Sequence, residues 1–177
     1  MRVLAVADTH VPDHAPALSQ EVLTLAGEVD LVLHAGDVTR ADVLDELAAR
    51  APVRCALGNN DGPDVARWGA VERVELVLEG VRVAMVHDAG PRTGRPRRLR
   101  RWFPEADLIV FGHSHISMAF EEDGAWFVNP GSPTWKRREP EPTMVTIDLE
   151  EGRVTPTLIR LPVLRFHSRG TIPPPAG

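Results

Sequence analysis

The stretch "DLIVFGHSH", residues 107–115, closes an apolar run with a glycine and two histidines one residue apart. An uninterrupted apolar run this short, with β-branched members, reads as a strand buried on both faces. Side chains at i and i+2 of an extended segment point the same way, so His113 and His115 are expected to present their rings to one point past the strand's end. A lone histidine beside a core is more often a packed residue than a ligand. A pair on one side suits a metal ion, provided other segments bring further ligands.

Working outward, the same arrangement recurs four times, each an aliphatic run ending in metal-competent polar residues. "VLAVADTH" (3–10) ends in Asp8 and His10, "DLVLHAGD" (30–37) in Asp37, "VRCALGNND" (53–61) in Asn59, Asn60 and Asp61, and "VRVAMVHD" (81–88) in His87. Helical patterns lie between them. "APALSQEVLTLAGEV" (15–29) gathers Leu18, Val22, Leu23, Leu25 and Ala26 on one side, and "RADVLDELAAR" (40–50) does so with Val43, Leu44 and Leu47. Thr39 and Asp42 form a capping-box pattern at the second start. A third helix is expected from near Arg97 to before Pro104. The later chain reads as strands and tight turns, with "EEDG" (121–124) a turn and "EEGR" (150–153) a hairpin loop. Alternating strands and helices followed by hairpins imply an α/β sandwich, as one mixed sheet or two packed sheets with helices outside.

The chain has 177 residues, enough for one domain with a substantial core, expected over 1–166, with a Pro-rich tail over 167–177. Apolar residues make up 43% and charged residues 25%, which excludes a disordered chain. No apolar run approaches the roughly 20 residues that span a bilayer, and the first ten residues acquire Asp8 and His10 too early for a signal peptide, so a cytoplasmic location without membrane contact is expected. The single cysteine, Cys55, rules out an internal disulfide and a thiolate-rich metal site and reads as a packed apolar residue. A net charge of -5 argues against a general nucleic-acid binder. Against that charge, "PRTGRPRRLRR" (91–101) carries six arginines and no acid.

Ligands in open α/β sheets collect beyond the carboxyl ends of strands. Five strands ending in Asp, Asn or His would gather carboxylates, imidazoles and a carboxamide in one crevice. Oxygen and nitrogen donors without sulfur favour Mn²⁺, Fe²⁺, Zn²⁺ or Ni²⁺, and their number exceeds what one ion with an open position uses. Two ions are the economical expectation.

Taken in order, "DTH" at 8–10, "GD" at 36–37, "GNND" at 58–61, His87 and "GHSH" at 112–115, with "NPGS" at 129–132, resemble the motif blocks of the calcineurin-like metallophosphoesterase superfamily. The nearest likeness is to its small bacterial and archaeal phosphodiesterases, a branch that the retromer subunit Vps29 also resembles. The resemblance implies a four-layer αββα sandwich of two mixed sheets flanked by helices. It implies that Asp8, His10 and His115 hold one divalent ion, that Asn59, His87 and His113 hold another, and that Asp37 bridges both. Mn²⁺ is the first candidate, with Fe, Ni or Zn as the others. The implied reaction is hydrolysis of a small phosphate ester, foremost a diester, by in-line attack of a hydroxide bridging the ions. Asp37 and Asn60 stand closest to that catalysis. A catalytically weak, Vps29-like protein-binding scaffold is the alternative, and a regulatory or nucleic-acid module using the arginine segment is a third reading.

Departures from the pattern fall on two residues. Asn60 stands where the superfamily often has His, or in the small branch Cys; its amide can hydrogen-bond a phosphate but cannot serve as a general acid. Asp88 follows His87 where Gly is usual, and could orient His87 or face solvent. Arg92 and Arg95 are the expected contacts for a second phosphate, which would point to a nucleotide. His34 reads as a packed strand residue, His14 and His167 as surface residues, with His14 close enough in sequence to roof the crevice. A homo-oligomer is compatible with all of this.

Overall fold

In the computed structural model the described residues are 1–163; the expected tail and residues 164–166 lie outside them. Ten strands and four helices follow one another along the chain: β1 (Arg2–Val6), α1 (Gln20–Ala26), β2 (Leu31–His34), α2 (Ala41–Ala48), β3 (Val53–Cys55), α3 (Pro63–Trp68), β4 (Arg73–Leu78), β5 (Val81–Val86), α4 (Arg95–Trp102), β6 (Leu108–Phe111), β7 (Met118–Glu122), β8 (Ala125–Asn129), β9 (Thr143–Glu150) and β10 (Arg153–Arg160). They form two five-stranded mixed sheets, in the orders β10-β9-β1-β2-β3 and β4-β5-β6-β8-β7. In the first sheet β1 runs parallel to β2 with Val3 opposite Leu31, and β2 parallel to β3. In the second, β5, β6 and β8 run parallel.

The period of two along each strand decides the layers. On β1, Leu4 and Val6 join α1, α2 and α3 through Val22, Leu44, Leu47 and Val65. The alternate residues Val3 and Ala5 turn to the opposing sheet, meeting Val83, Met85, Leu108 and Val110. On β6, Ile109 and Phe111 face α4 and pack with Leu99, Phe103 and Phe127. The result is the four-layer αββα sandwich. Of the strands that carry site residues at their ends, β1, β2, β5 and β6 lie inside their sheets, while β3 is the edge of the first, with Arg54 exposed.

Three tight hairpins set the antiparallel registers. Glu79–Gly80, Asp123–Gly124 and Glu151–Gly152 all have positive φ at both central residues, the type I′ geometry that matches strand twist. The expected turns at 121–124 and 150–153 are thus present. The expected capping box is absent, because Thr39 Oγ1 donates to the carbonyls of Val11 and Val38. Arg40 occupies the N-cap without a side-chain bond, and Asp64 of α3 accepts from Ala41 N at 3.0 Å instead. A tertiary carboxylate has taken the local cap's role.

Candidate metal centre

The carboxyl ends of β1, β2, β3, β5 and β6 converge, as expected for parallel strands. The chain leaves these strands abruptly. Asp8, His10, Asp37, His113 and His115 have φ of 55, 44, 56, 68 and 58°, all in the left-handed region. That region costs a non-glycine residue about 1 kcal/mol or more, so five such residues in one crevice signal a geometry imposed by the surroundings. Glycines make room for it. A Cβ on Gly58 would overlap the backbone nitrogen and carboxylate of Asp37, and one on Gly36 would come within 2.7 Å of His87 Nδ1.

These turns divide the histidine pair. His115 groups with Asp8 and His10, while His113 groups with Asp37 and His87, the donor atoms of each group lying within 4.8 Å of one another. The expectation of one common point for His113 and His115 is corrected here, because both residues lie past the strand in left-handed conformation and extended alternation no longer applies. In the first group His10 Nε2 lies 3.3 Å from His115 Nε2, and His115 Nε2 lies 3.4 Å from Asp8 Oδ1. In the second, Asn59 Oδ1 lies 3.1 Å from His87 Nε2 and 2.9 Å from His113 Nδ1. Asp37 Oδ2 stands between the groups, 3.5 Å from His10 Nε2 and 3.4 Å from His87 Nε2.

The donor set fits cations. His87 Nδ1 lies 2.8 Å from Ala35 O and His115 Nδ1 2.6 Å from Trp135 O. A carbonyl only accepts, so both Nδ1 atoms carry protons and both Nε2 atoms turn toward the crevice, as in metal-ligating histidines. Asp8 Oδ2 is buried and has no hydrogen-bond partner, a costly state for a carboxylate that a cation would relieve.

The two carboxylates sit in opposite electrostatic situations. Burial raises the Asp8 carboxyl to about 7. Burial acts on Asp37 too, but hydrogen bonds from His87 and Asn60 outweigh it and hold Asp37 well below the usual range. Burial pushes His115 down to about 4 and lowers His10. On His87 burial is outweighed by Asp37 and Asp8, so its value is raised.

Asn60 meets Asp37 twice, its backbone N donating to Oδ1 at 2.8 Å and its Nδ2 to Oδ2 at 2.7 Å. Arg95 is engaged away from the seven-residue cluster: its guanidinium donates to Gly90 O and lies over the Phe111 ring. Arg92 is exposed on the loop after β5. Asp88 is exposed and accepts from Gly90 N, shaping its own turn. His34 is packed, its Nε2 3.1 Å from Thr9 Oγ1, with burial lowering it to about 3. His14 stacks on Trp135 with ring centroids 3.4 Å apart.

Three supporting residues escaped the sequence reading. Asp61 accepts from the backbone N–H groups of Asp37, Thr39 and Gly58 at 3.1, 2.8 and 2.7 Å. Ser132 Oγ donates to Asp8 O at 2.7 Å and accepts from Trp135 N at 2.8 Å, which ties the "NPGS" loop to β1. Trp135 contributes its carbonyl to His115 and its ring edge to His10. The "GNND" block contained Asp61 and the "NPGS" likeness contained Ser132, without giving either this role, and nothing pointed at Trp135.

Residues 1–152 match the calcineurin-like phosphoesterase superfamily domain. The chain belongs to that superfamily. A probable metallophosphoesterase of Methanothermobacter thermautotrophicus is 33% identical over 165 residues, covering 90% of this chain and 92% of the relative. Among solved structures, an archaeal phosphodiesterase superposes with a TM-score of 0.72 at 21% identity, covering 90% of this chain and 100% of that one. Wild-type Vps29 of Entamoeba histolytica complexed with zinc superposes at 0.73 with 22% identity, covering 90% and 99%. These two likenesses are of fold. As in the calcineurin-like superfamily generally, the residues gathered here are of the types that hold divalent metals, and among the described residues no helix is long and apolar enough to cross a membrane.

Proposed function

We propose that this calcineurin-like protein is a metal-dependent phosphodiesterase. Asp8, His10 and His115 would hold one divalent ion, Asn59, His87 and His113 the second, and Asp37 would serve both. The observation that carries the reading is the convergence of Asp8 Oδ1 and Asp37 Oδ2 with the Nε2 atoms of His10, His87 and His115, the far nitrogens of His87 and His115 being tied to carbonyls. When bound, two such ions lower the pKa of water and neutralise charge growing on a phosphoryl group.

This chain's own residues supply orientation. Asp61 fixes the Asp37 loop, Ala35 and Trp135 fix the imidazole planes, and Asn60 holds the Asp37 carboxylate in place. A neutral amide at position 60 offers no proton to a departing alkoxide, so substrates with good leaving groups suit the site best. Mn²⁺ is the first ion to test, since nitrogen and oxygen donors alone do not choose among Mn, Fe, Ni and Zn. A small diester, nucleotide esters among them, is the substrate class, by likeness to the archaeal phosphodiesterase. A scaffold role would call for a contiguous exposed apolar patch. Among the described residues the exposed large apolar side chains are Val71, Val77, Ile116 and Val163.

The test is hydrolysis of bis(p-nitrophenyl) phosphate by metal-stripped protein reloaded with Mn²⁺, Fe²⁺, Ni²⁺ or Zn²⁺, beside Asp37→Ala. Metal-dependent turnover lost in the variant is expected. A folded wild type that turns over with none of the four ions would defeat the reading.

A further inference from the structure

We propose that Arg137 is the residue that grips the substrate's phosphate at this centre. The inference rests on the phosphoesterase reading and adds to it a substrate-binding group outside the motif blocks. Arg137 lies on the loop after β8. Its guanidinium carbon stands 4.5 Å from the centroid of the Trp135 ring. That ring is a fixed plate. Trp135 N donates to Ser132 Oγ, its carbonyl accepts from His115 Nδ1, and its ring stands T-shaped to those of His10 and His115 at 5.3 and 5.0 Å while His14 stacks on it at 3.4 Å. Arg137 is thus held one aromatic ring from two residues of the first metal group.

The surroundings leave this arginine its hydrogen-bonding edge. A guanidinium lying on an indole uses its face for the cation–π contact and keeps its N–H fork free for bidentate pairing with a phosphate. Arg137 is exposed, and among the described residues it has neither a carboxylate nor a hydrogen-bond partner. Its neighbour differs. Lys136 is turned inward to donate to Glu139 O, and Glu139 N closes the turn onto Lys136 O. Within that turn Arg137 itself adopts φ 48°, a left-handed conformation that costs an arginine about 1 kcal/mol or more and that the closed turn maintains. Arg95, which the sequence singles out, instead donates from Nη2 to Gly90 O and lies over the Phe111 ring.

Arg137→Ala, Arg137→Lys and Trp135→Leu are compared with wild type in the Mn²⁺-reloaded protein. Trp135→Leu keeps the backbone carbonyl that orients His115 while removing the plate. The readouts are bound metal, affinity for inorganic phosphate by calorimetry, and KM and kcat for bis(p-nitrophenyl) phosphate. Metal content is expected to stay constant, phosphate affinity to fall about tenfold in Arg137→Ala, as for loss of one charge-assisted hydrogen-bonding group, and KM to rise. Arg137→Lys should recover part of the loss, and Trp135→Leu should show a smaller one. Equal phosphate affinity in wild type and Arg137→Ala, or no phosphate binding to metal-loaded wild type, overturns the proposal. If no ester is hydrolysed, the phosphodiesterase reading fails by itself and the phosphate titration still decides the role of Arg137.

Discussion

Asp61 shows how a residue outside the ligand-type set can shape a candidate metal centre. Its carboxylate holds three backbone N–H groups, on Asp37, Thr39 and Gly58, and so ties the loop after β2 to the loop after β3. Asp61→Ala strands these donors and is expected to cost about 2–4 kcal/mol of stability and to weaken metal binding about tenfold or more. Mn²⁺ titration of the folded variant checks this, and wild-type affinity would refute it. Asn60→His is expected to raise kcat several-fold, most on alkyl diesters, because an imidazolium can protonate a poor leaving group. Rate ratios between aryl and alkyl esters that stay the same in the variant would count against the role given to position 60. The seven ligand-type residues were legible because acids and imidazoles after apolar runs are visible as letters. Asp61 stood in the quoted "GNND" without a role, since the N–H groups it serves carry no residue-type signature. The carbonyl of Trp135 was invisible for the same reason.

Elements were legible where one period dominated. β1, β2 and β6 were read from apolar runs and are buried on both faces, while β3 and β5 each carry an exposed arginine against that expectation. β4, with its alternating "RVELVL", and the single-turn scale α3 were passed over although both are regular. Their signals are short, and tertiary packing decides them. The hairpins allow a comparison of two glycines. Gly152 has φ 79° and open space around it, so Gly152→Ala should cost only about 1 kcal/mol of backbone strain. Gly58→Ala would drive a methyl into Asp37, and it should abolish metal binding. Thermal melts and metal titration of both variants test the contrast, which similar behaviour would erase. At the opposite end of β5, Arg82 meets Asp107 through Nε and Nη2 at 2.9 and 2.7 Å. Those bonds hold the Asp107 carboxyl below its usual value, so the native state binds its proton less readily than the unfolded chain. The stabilisation is therefore complete above the unfolded value near 4 and fades as pH falls through the lower folded one. Wild type is expected to exceed Asp107→Asn in stability by a constant margin at pH 5–7 that shrinks below pH 4. Urea melts at each pH measure the margin, and one that stays level down to pH 3 would deny the pair this role.

At the scale of the whole molecule, apolar patterning predicts a sandwich without saying which strand joins which sheet. β1, β2 and β6 are buried on both faces, so their residues do not reveal which partner lies on either side. The chain even returns from β8 in the second sheet to place β9 beside β1 in the first. That partition matters for the metals. Asp8, His10, Asp37 and Asn59 follow strands of the first sheet, while His87, His113 and His115 follow strands of the second. Each proposed ion would therefore take donors from both sheets and act as a clasp at one edge of the sandwich. Binding that favours the folded state stabilises it by about 2.7 kcal/mol when free ion is 100 times its Kd, which for a chain of this size is about 5–10 °C in Tm. Mn²⁺ is expected to raise Tm by that order and EDTA to reverse it. Hydrogen exchange should slow at the carboxyl ends of β1, β2, β5 and β6 and change little at the far hairpins Glu79–Gly80 and Glu151–Gly152. A rise in Tm with protection confined to one sheet would mean that the ions bind without joining the two.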